Sequence, residues 1–169
     1  MKEPVVAKTH RGLEYEFENP SGSTLNWIEQ NSKNIPNAIT IAKNSKNPGT
    51  AIEGKVGEFV NSKTEVTHFG VKVENITTGN RAGDIDIATP NQFIEVKKST
   101  SVLKKDQIIK YTDSNDPNYF NYQNKEVIIY IDEPINMSNP RVVELIKSIE
   151  EIPGVKIVNS LDELGKVLK

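Results

Sequence analysis

The period of the apolar positions changes several times along the chain. Residues 1–23 are weakly patterned, except that LEYEFE (13–18) alternates apolar and acidic side chains as a short exposed strand does. Pro20-Ser21-Gly22-Ser23 ends that run. Between 24 and 43, Leu25, Ile28, Ile35, Ile39 and Ile41 predict one or two short helices, with Pro36 inside. The signal sharpens at Thr50. Ile52, Val56, Phe59 and Val60 recur at helical spacing through TAIEGKVGEFVNS, with Thr50 as the expected N-cap. TEVTHFGVKVENITT alternates around Val66, Val71 and Val73, which predicts a strand bent at Gly70. Two short runs follow, GDIDIA (83–88) and QFIEVKK (92–98); the turn chemistry of Thr89-Pro90-Asn91 between them predicts an antiparallel hairpin. SVLKKDQIIKYTDSN (101–115) returns to helical spacing. EVIIYID (126–132) is a continuous apolar run, the mark of a strand buried on both faces. Ser138 is the expected cap of a helix over NPRVVELIKSIEEI, and VKIV (155–158) reads as another buried strand. Ser160 opens a last helix with Glu163 at capping-box spacing.

From residue 50 the predicted order is α-β-β-β-α-β-α-β-α. The expected fold class is therefore α/β of the α+β kind, a mixed central sheet flanked by helices. A chain of 169 residues suits one domain. Residues 1–49 are expected to form a helical or irregular segment packed on a core at 50–169.

Composition removes several kinds of chemistry. The chain has no Cys, which excludes a disulfide framework, a thiolate metal site and a Cys nucleophile. Two His argue against a His-rich metal cage. No apolar run approaches the ~18–20 residues of a membrane span, and the opening MKEPVVAKTHRG has no apolar core of a signal peptide, so neither is expected. The net charge of −2 argues against a wholly basic nucleic-acid coat and leaves room for a local basic surface. Lys97, Lys98, Lys104, Lys105 and Lys110 crowd one stretch, interrupted on the acidic side only by Asp106. Such a cluster is a candidate track for a polyanion.

The hairpin carries the chemistry. Alternate residues of a strand share a face, so Asp84 and Asp86 are expected together, opposite Ile85 and Ile87. Glu95 and Lys97 are expected opposite Ile94 and Val96. With the turn centred between Pro90 and Asn91, positions summing to 181 face one another, which puts Asp86 across from Glu95 and Asp84 across from Lys97. Cross-strand neighbours stand ~4.5–5.5 Å apart at Cβ. Carboxylates that close repel, so one holds a proton unless a cation sits between them. A divalent metal resolves the repulsion, and Mg²⁺ takes carboxylates and water while leaving positions for phosphate oxygens.

These residues resemble the core of the PD-(D/E)xK nuclease superfamily, the restriction-endonuclease fold. GDID…IEVKK, read after the helix EGKVGEFV, carries the likeness over about half the chain. The resemblance implies an αβββαβ core, here with an added αβα extension at the C-terminus. It implies an acidic residue on the first helix, Glu58 ahead of Glu53. It further implies an Asp on the second strand and Glu-x-Lys on the third, Glu95 and Lys97. The usual Pro-Asp pair is replaced by Gly83-Asp84-Ile85-Asp86, which leaves Asp84 and Asp86 both open, Asp86 favoured by the cross-strand arithmetic. The metal, Mg²⁺ first and Mn²⁺ or Zn²⁺ after it, is expected on Asp84 or Asp86, Glu95 and the backbone of Val96. Gln107 and Tyr111 stand four apart, as in the Q-x-x-x-Y motif of some exonuclease-type members, and make a secondary site. Lys98, Lys104, Lys105 and Lys110 are expected to bind nucleic acid. His68 is a possible extra ligand kept outside this set, and Trp27 is an expected anchor of the N-terminal segment, with stacking on a single-stranded base as the alternative.

Size, Asn/Lys-rich composition, the GKVGE helix and the IEVKKS run are similar to C-terminal nuclease domains of bacterial polymorphic toxins, such as contact-dependent inhibition effectors. That likeness implies part of a secreted or cell-surface effector acting in the target-cell cytoplasm. It implies a tRNA substrate, with DNA possible, and a cognate immunity protein. A free-standing repair or restriction nuclease and a catalytically silent nucleic-acid-binding module are the rival readings.

Overall fold

Strands take up the chain from its start and join one mixed sheet in sequence order. They are β1 (Val5–Thr9), β2 (Gly12–Glu18), β3 (Thr24–Ile28), β4 (His68–Asn75), β5 (Asn80–Ala88), β6 (Gln92–Lys97), β7 (Glu126–Ile131) and β8 (Val155–Val158). The structure, a computed structural model, describes residues 3–169; Met1 and Lys2, at the head of the weakly patterned start, lie outside the described residues. Neighbours from β1 to β6 are antiparallel. β6, β7 and β8 are parallel. Helices α1 (Ile35–Lys43) and α2 (Pro48–Lys63) connect β3 to β4. The two parallel crossovers carry α3 (Lys105–Thr112) and α4 (Pro140–Glu150), and α5 (Leu161–Val167) follows β8. From α2 onward the order is that of the hydrophobic pattern.

The N-terminal segment keeps the strand expected at 13–18, as β2, and departs from its reading on either side of it. Residues 24–28 form a strand, because Leu25 and Trp27 alternate into the core while Asn26 faces out. The spacing of Leu25 and Ile28 also suits a helix, and the alternation of Leu25 and Trp27 overrides it. β1 leaves no pattern because it is an edge strand, exposed along most of its length. Residues 5–28 thus extend the sheet by three strands, and only α1 matches the helical expectation for 1–49.

Two caps shift by a few residues. Asn47 Oδ1 accepts from the Thr50 amide at 3.1 Å, so α2 starts at Pro48 and Thr50 lies in its first turn. Asn139, rather than Ser138, caps α4 by accepting from the Arg141 amide at 3.0 Å. Ser160 caps α5 as expected; its hydroxyl accepts from the Glu163 amide at 3.1 Å, and the Glu163 carboxylate accepts from Asn159 N at 2.9 Å.

The sheet separates two apolar layers. Ile108, Tyr111, Ile146 and Ile149 of α3 and α4 cover one face with Phe17, Leu25, Trp27 and Ile129 beneath them. Ile35, Ile39, Val56, Val60 and Leu164 of α1, α2 and α5 cover the other, over Phe69, Ile94 and Ile128. α1 and α2 cross at Gly54, where an added Cβ would overlap the backbone of Ala42 and Lys43. Among the described residues no helix is long and apolar enough to cross a membrane.

Candidate active site

The turn at 89–91 sets the register of the hairpin. The Thr89 amide donates to Gln92 O at 2.9 Å, and the Gln92 amide donates to Thr89 Oγ1 at 3.0 Å. Ile87 pairs with Ile94 and Ala88 with Phe93, the register in which partners sum to 181. Backbone pairing stops there. Asp86 replaces the next rung with its side chain, since the Val96 amide donates to Asp86 Oδ2 at 2.9 Å.

The expected alternation on β5 breaks at the same place. Ile85 belongs to the apolar layer under α3 and α4, and Ile87 to the layer under α1 and α2. On β4, Phe69 and Val71 are divided in the same way about Gly70, whose φ is +67°. That value is open to glycine and costly for other residues. The two strands therefore turn over together beside Asp86, and Asp84 and Asp86 do not simply share one flat face.

A cavity of about 500 Å³ opens where β5 and β6 part. Asp84, Asp86, Glu95, Val96 and Lys97 line it, and so does Glu53 from α2. Glu95 and Asp86 are buried. The Tyr111 hydroxyl stands 2.7 Å from Glu95 Oε2 and 3.2 Å from Asp84 O, and its proton goes to the nearer, charged acceptor. Lys97 Nζ lies 3.3 Å from Glu95 Oε1 and donates to Gln107 Oε1 at 3.2 Å. Gln107 and Tyr111, one turn apart on α3, thus hold Lys97 and Glu95 respectively.

The electrostatics follow from crowding. Burial pushes the Asp86 carboxyl well above the ordinary carboxylate range; repulsion from Glu95 and Glu53 pushes the same way, against the Val96 amide and Lys97. Burial also raises Glu53, with Glu95 and Asp84 adding to it. The fully enclosed Tyr111 phenol is raised well above its usual value by burial and then by Glu95 and Asp86. Asp84 Oδ1 is buried without a hydrogen-bond partner. Its nearest cation is Arg81, whose Nη1 is 3.8 Å away.

These observations fit a divalent cation. Carboxylate oxygens are hard donors, negative charge exceeds what Lys97 neutralises, and Asp84 Oδ1 lacks a partner. Among the described residues no three Asp, Glu or His side chains stand together as a group that could hold a metal ion, so a cation here would draw on fewer carboxylates together with backbone oxygen and water.

Glu58 is the expected residue that the structure separates from the cluster. It points to solvent and pairs with Lys43 at 2.9 Å, and Glu53 stands at the cavity in its place. The reason is helical phase. Glu53 lies three, four and seven residues before Val56, Gly57 and Val60, the buried stripe of α2, whereas Glu58 falls off that stripe. The same stripe was readable in the sequence. Lys98, Lys104 and Lys105 are exposed and lie outside the cavity lining. Lys110 lines it, lying across Gly83, where a Cβ would overlap the ammonium group. Arg81, Asp106, Asp116 and Asn118 also line it and had no signal in the sequence. His68 is elsewhere, with Nε2 3.4 Å from Glu29. Trp27 is buried and stacks on Tyr15, as an anchor would. Comparison of the chain with family models, with curated proteins and with solved structures finds no match.

Proposed function

We propose that this chain is a metal-dependent nuclease of the PD-(D/E)xK type that hydrolyses phosphodiester bonds. The observation that carries the proposal is the convergence of Asp84, Asp86, Glu95, Lys97 and Glu53 on one polar cavity, with Glu95 and Lys97 each fixed by a side chain of α3. Asp84 or Asp86, with Glu95, the backbone at Val96 and water, would hold the cation, Mg²⁺ by preference; Glu53 would act directly or through water. When bound, such a cation acidifies water and offsets charge developing on the phosphate.

The chain's own groups do the rest. Tyr111 orients Glu95 by donating to Oε2, so the other oxygen faces Lys97. The Val96 amide holds Asp86 in the gap between β5 and β6. Gln107 steadies the Lys97 ammonium at the cavity, where it donates to the attacking water or to a non-bridging phosphate oxygen. Water adds to phosphorus, the bond to the leaving oxygen breaks, and that oxygen takes up a proton. Lys110 and Arg81 at the cavity supply positive charge for neighbouring phosphates.

Within this reading, the chain is a toxin domain of a secreted or cell-surface bacterial effector that cleaves tRNA in a competitor's cytoplasm and is neutralised by a cognate immunity protein. The support is the sequence likeness of the GKVGE helix and the IEVKKS run. Incubating the purified chain with total tRNA and with plasmid DNA, in Mg²⁺, Mn²⁺, Zn²⁺ or EDTA, tests both parts. Cleavage of tRNA that EDTA abolishes is expected; cleavage of plasmid alone would replace the substrate, and full activity in EDTA would remove the metal.

A further inference from the structure

A second cavity, of about 190 Å³, is lined in part by Phe93 and Phe120, which pack against the Tyr111 ring of the first site. Aromatic rings make up part of its wall. Tyr15 and Trp27 contribute rings that are parallel within 2°, with centroids 5.6 Å apart. Phe93 and Phe120, edge to face at 5.8 Å, contribute another wall, and Phe93 packs against Tyr111 at 5.5 Å.

Polar groups of both signs also line it. The Glu29 carboxylate stands 3.4 Å from His68 Nε2. Lys125 Nζ sits 5.1 Å from the Phe93 ring centroid and is anchored on Thr89 O at 2.7 Å. Among the described residues Asn124, with φ +53°, is the non-glycine residue in the left-handed region; it lies between Gln123 and Lys125, both of which line the cavity. The volume is below the ~300–1,000 Å³ that drug-sized ligands occupy and suits one ring system. Flat aromatic walls bind the face of such a ring, and a carboxylate and an ammonium lining the same small cavity can together read an edge that offers donors next to an acceptor.

We propose that this cavity takes one guanine base of the substrate strand, with Glu29 accepting from its N1–H and N2–H groups and Lys125 donating to O6. Guanine is the base with two adjacent N–H donors beside a carbonyl. Adenine, cytosine and uracil each set an acceptor against a carboxylate placed that way. The strand, though not the base pocket, rests on the nuclease reading above.

Trp27 is the only tryptophan of the chain, so its fluorescence reports occupancy directly. In EDTA, guanosine 5′-monophosphate should quench it saturably and bind at least about tenfold more tightly than the adenosine, cytidine and uridine monophosphates. Glu29→Gln and Lys125→Met, each checked for an unchanged far-UV spectrum, should each weaken binding about tenfold. A guanine-containing trinucleotide should bind at least as tightly as the monophosphate. Absence of saturable quenching, equal binding by phenol, or wild-type affinity in both variants overturns the pocket. Binding of the monophosphate but not the trinucleotide overturns the assignment to a strand. Cleavage of tRNA or DNA without quenching ends the pocket alone, whereas quenching in a chain that cuts neither ends the nuclease reading and leaves base recognition standing.

Discussion

Replacing Tyr111 by Phe removes one oxygen from a fully enclosed ring and changes little else. The lost group is the donor 2.7 Å from Glu95 Oε2. A hydrogen bond to a charged group contributes about 1.5–3 kcal/mol, because the acceptor left behind remains desolvated. For a chain of this size each kcal/mol moves the melting point by about 2–4 °C, so Tyr111→Phe should melt about 3–12 °C below wild type. Tyr119→Phe is the control. Its hydroxyl is also buried but donates to a neutral carbonyl, Asn121 O, at 2.7 Å, where about 0.5–1.5 kcal/mol is at stake. Thermal melts followed by circular dichroism compare the two. Cleavage by Tyr111→Phe should fall about 10–100-fold, since Glu95 loses its orientation while the cavity keeps its shape. A Tyr111→Phe protein that melts with wild type, or that loses less than Tyr119→Phe, would refute the claim that this hydroxyl holds Glu95 in place.

Glu53→Gln should raise the melting point of the metal-free protein and abolish cleavage, because burial and its carboxylate neighbours already disfavour the charge; Glu58→Gln should leave cleavage unchanged and cost at most ~1 kcal/mol, as exposed pairs do. The His68 imidazole is held below its ordinary value, first by burial, so the unfolded chain takes up that proton at higher pH than the folded one. Stability from this site is therefore complete above about pH 6.5 and is lost as pH falls through the folded value, at ~1.4 kcal/mol per unit of difference. His68→Gln should flatten that acid limb in melts from pH 4 to 8, and parallel profiles would count against it. Mg²⁺ at about 100 times its dissociation constant should stabilise the chain by ~2.7 kcal/mol, and this gain should vanish in the Asp86→Asn/Glu95→Gln double variant.

The hairpin was legible because its turn is short and its apolar residues leave one register that buries them; Ile87–Ile94 and Ala88–Phe93 pair as the arithmetic requires. The break at Asp86 was not, since it depends on a β4 glycine with positive φ lying alongside. β7 announced itself as an apolar run buried along its length, whereas β8, read as another buried strand, lies at the sheet edge and exposes Lys156 between the buried Val155 and Val158. β1 could not, because an exposed edge strand has no inside to mark. The motif points to Glu58, whereas the phase of Val56, Gly57 and Val60 along α2 points to Glu53. Asp116 and Asn118 reach the cavity from a loop, and nothing local predicts where such a loop packs.

The central claim is that Glu95 and Lys97 perform phosphodiester hydrolysis in this cavity. Its most direct test is the cleavage rate of Glu95→Ala and Lys97→Ala on the nucleic acid that the wild-type chain cuts in Mg²⁺, with folding verified by circular dichroism. The account predicts that each variant keeps the fold and loses at least about 10²-fold in rate, the scale of removing one group that stabilises developing charge. Cleavage at the wild-type rate by either folded variant would contradict it.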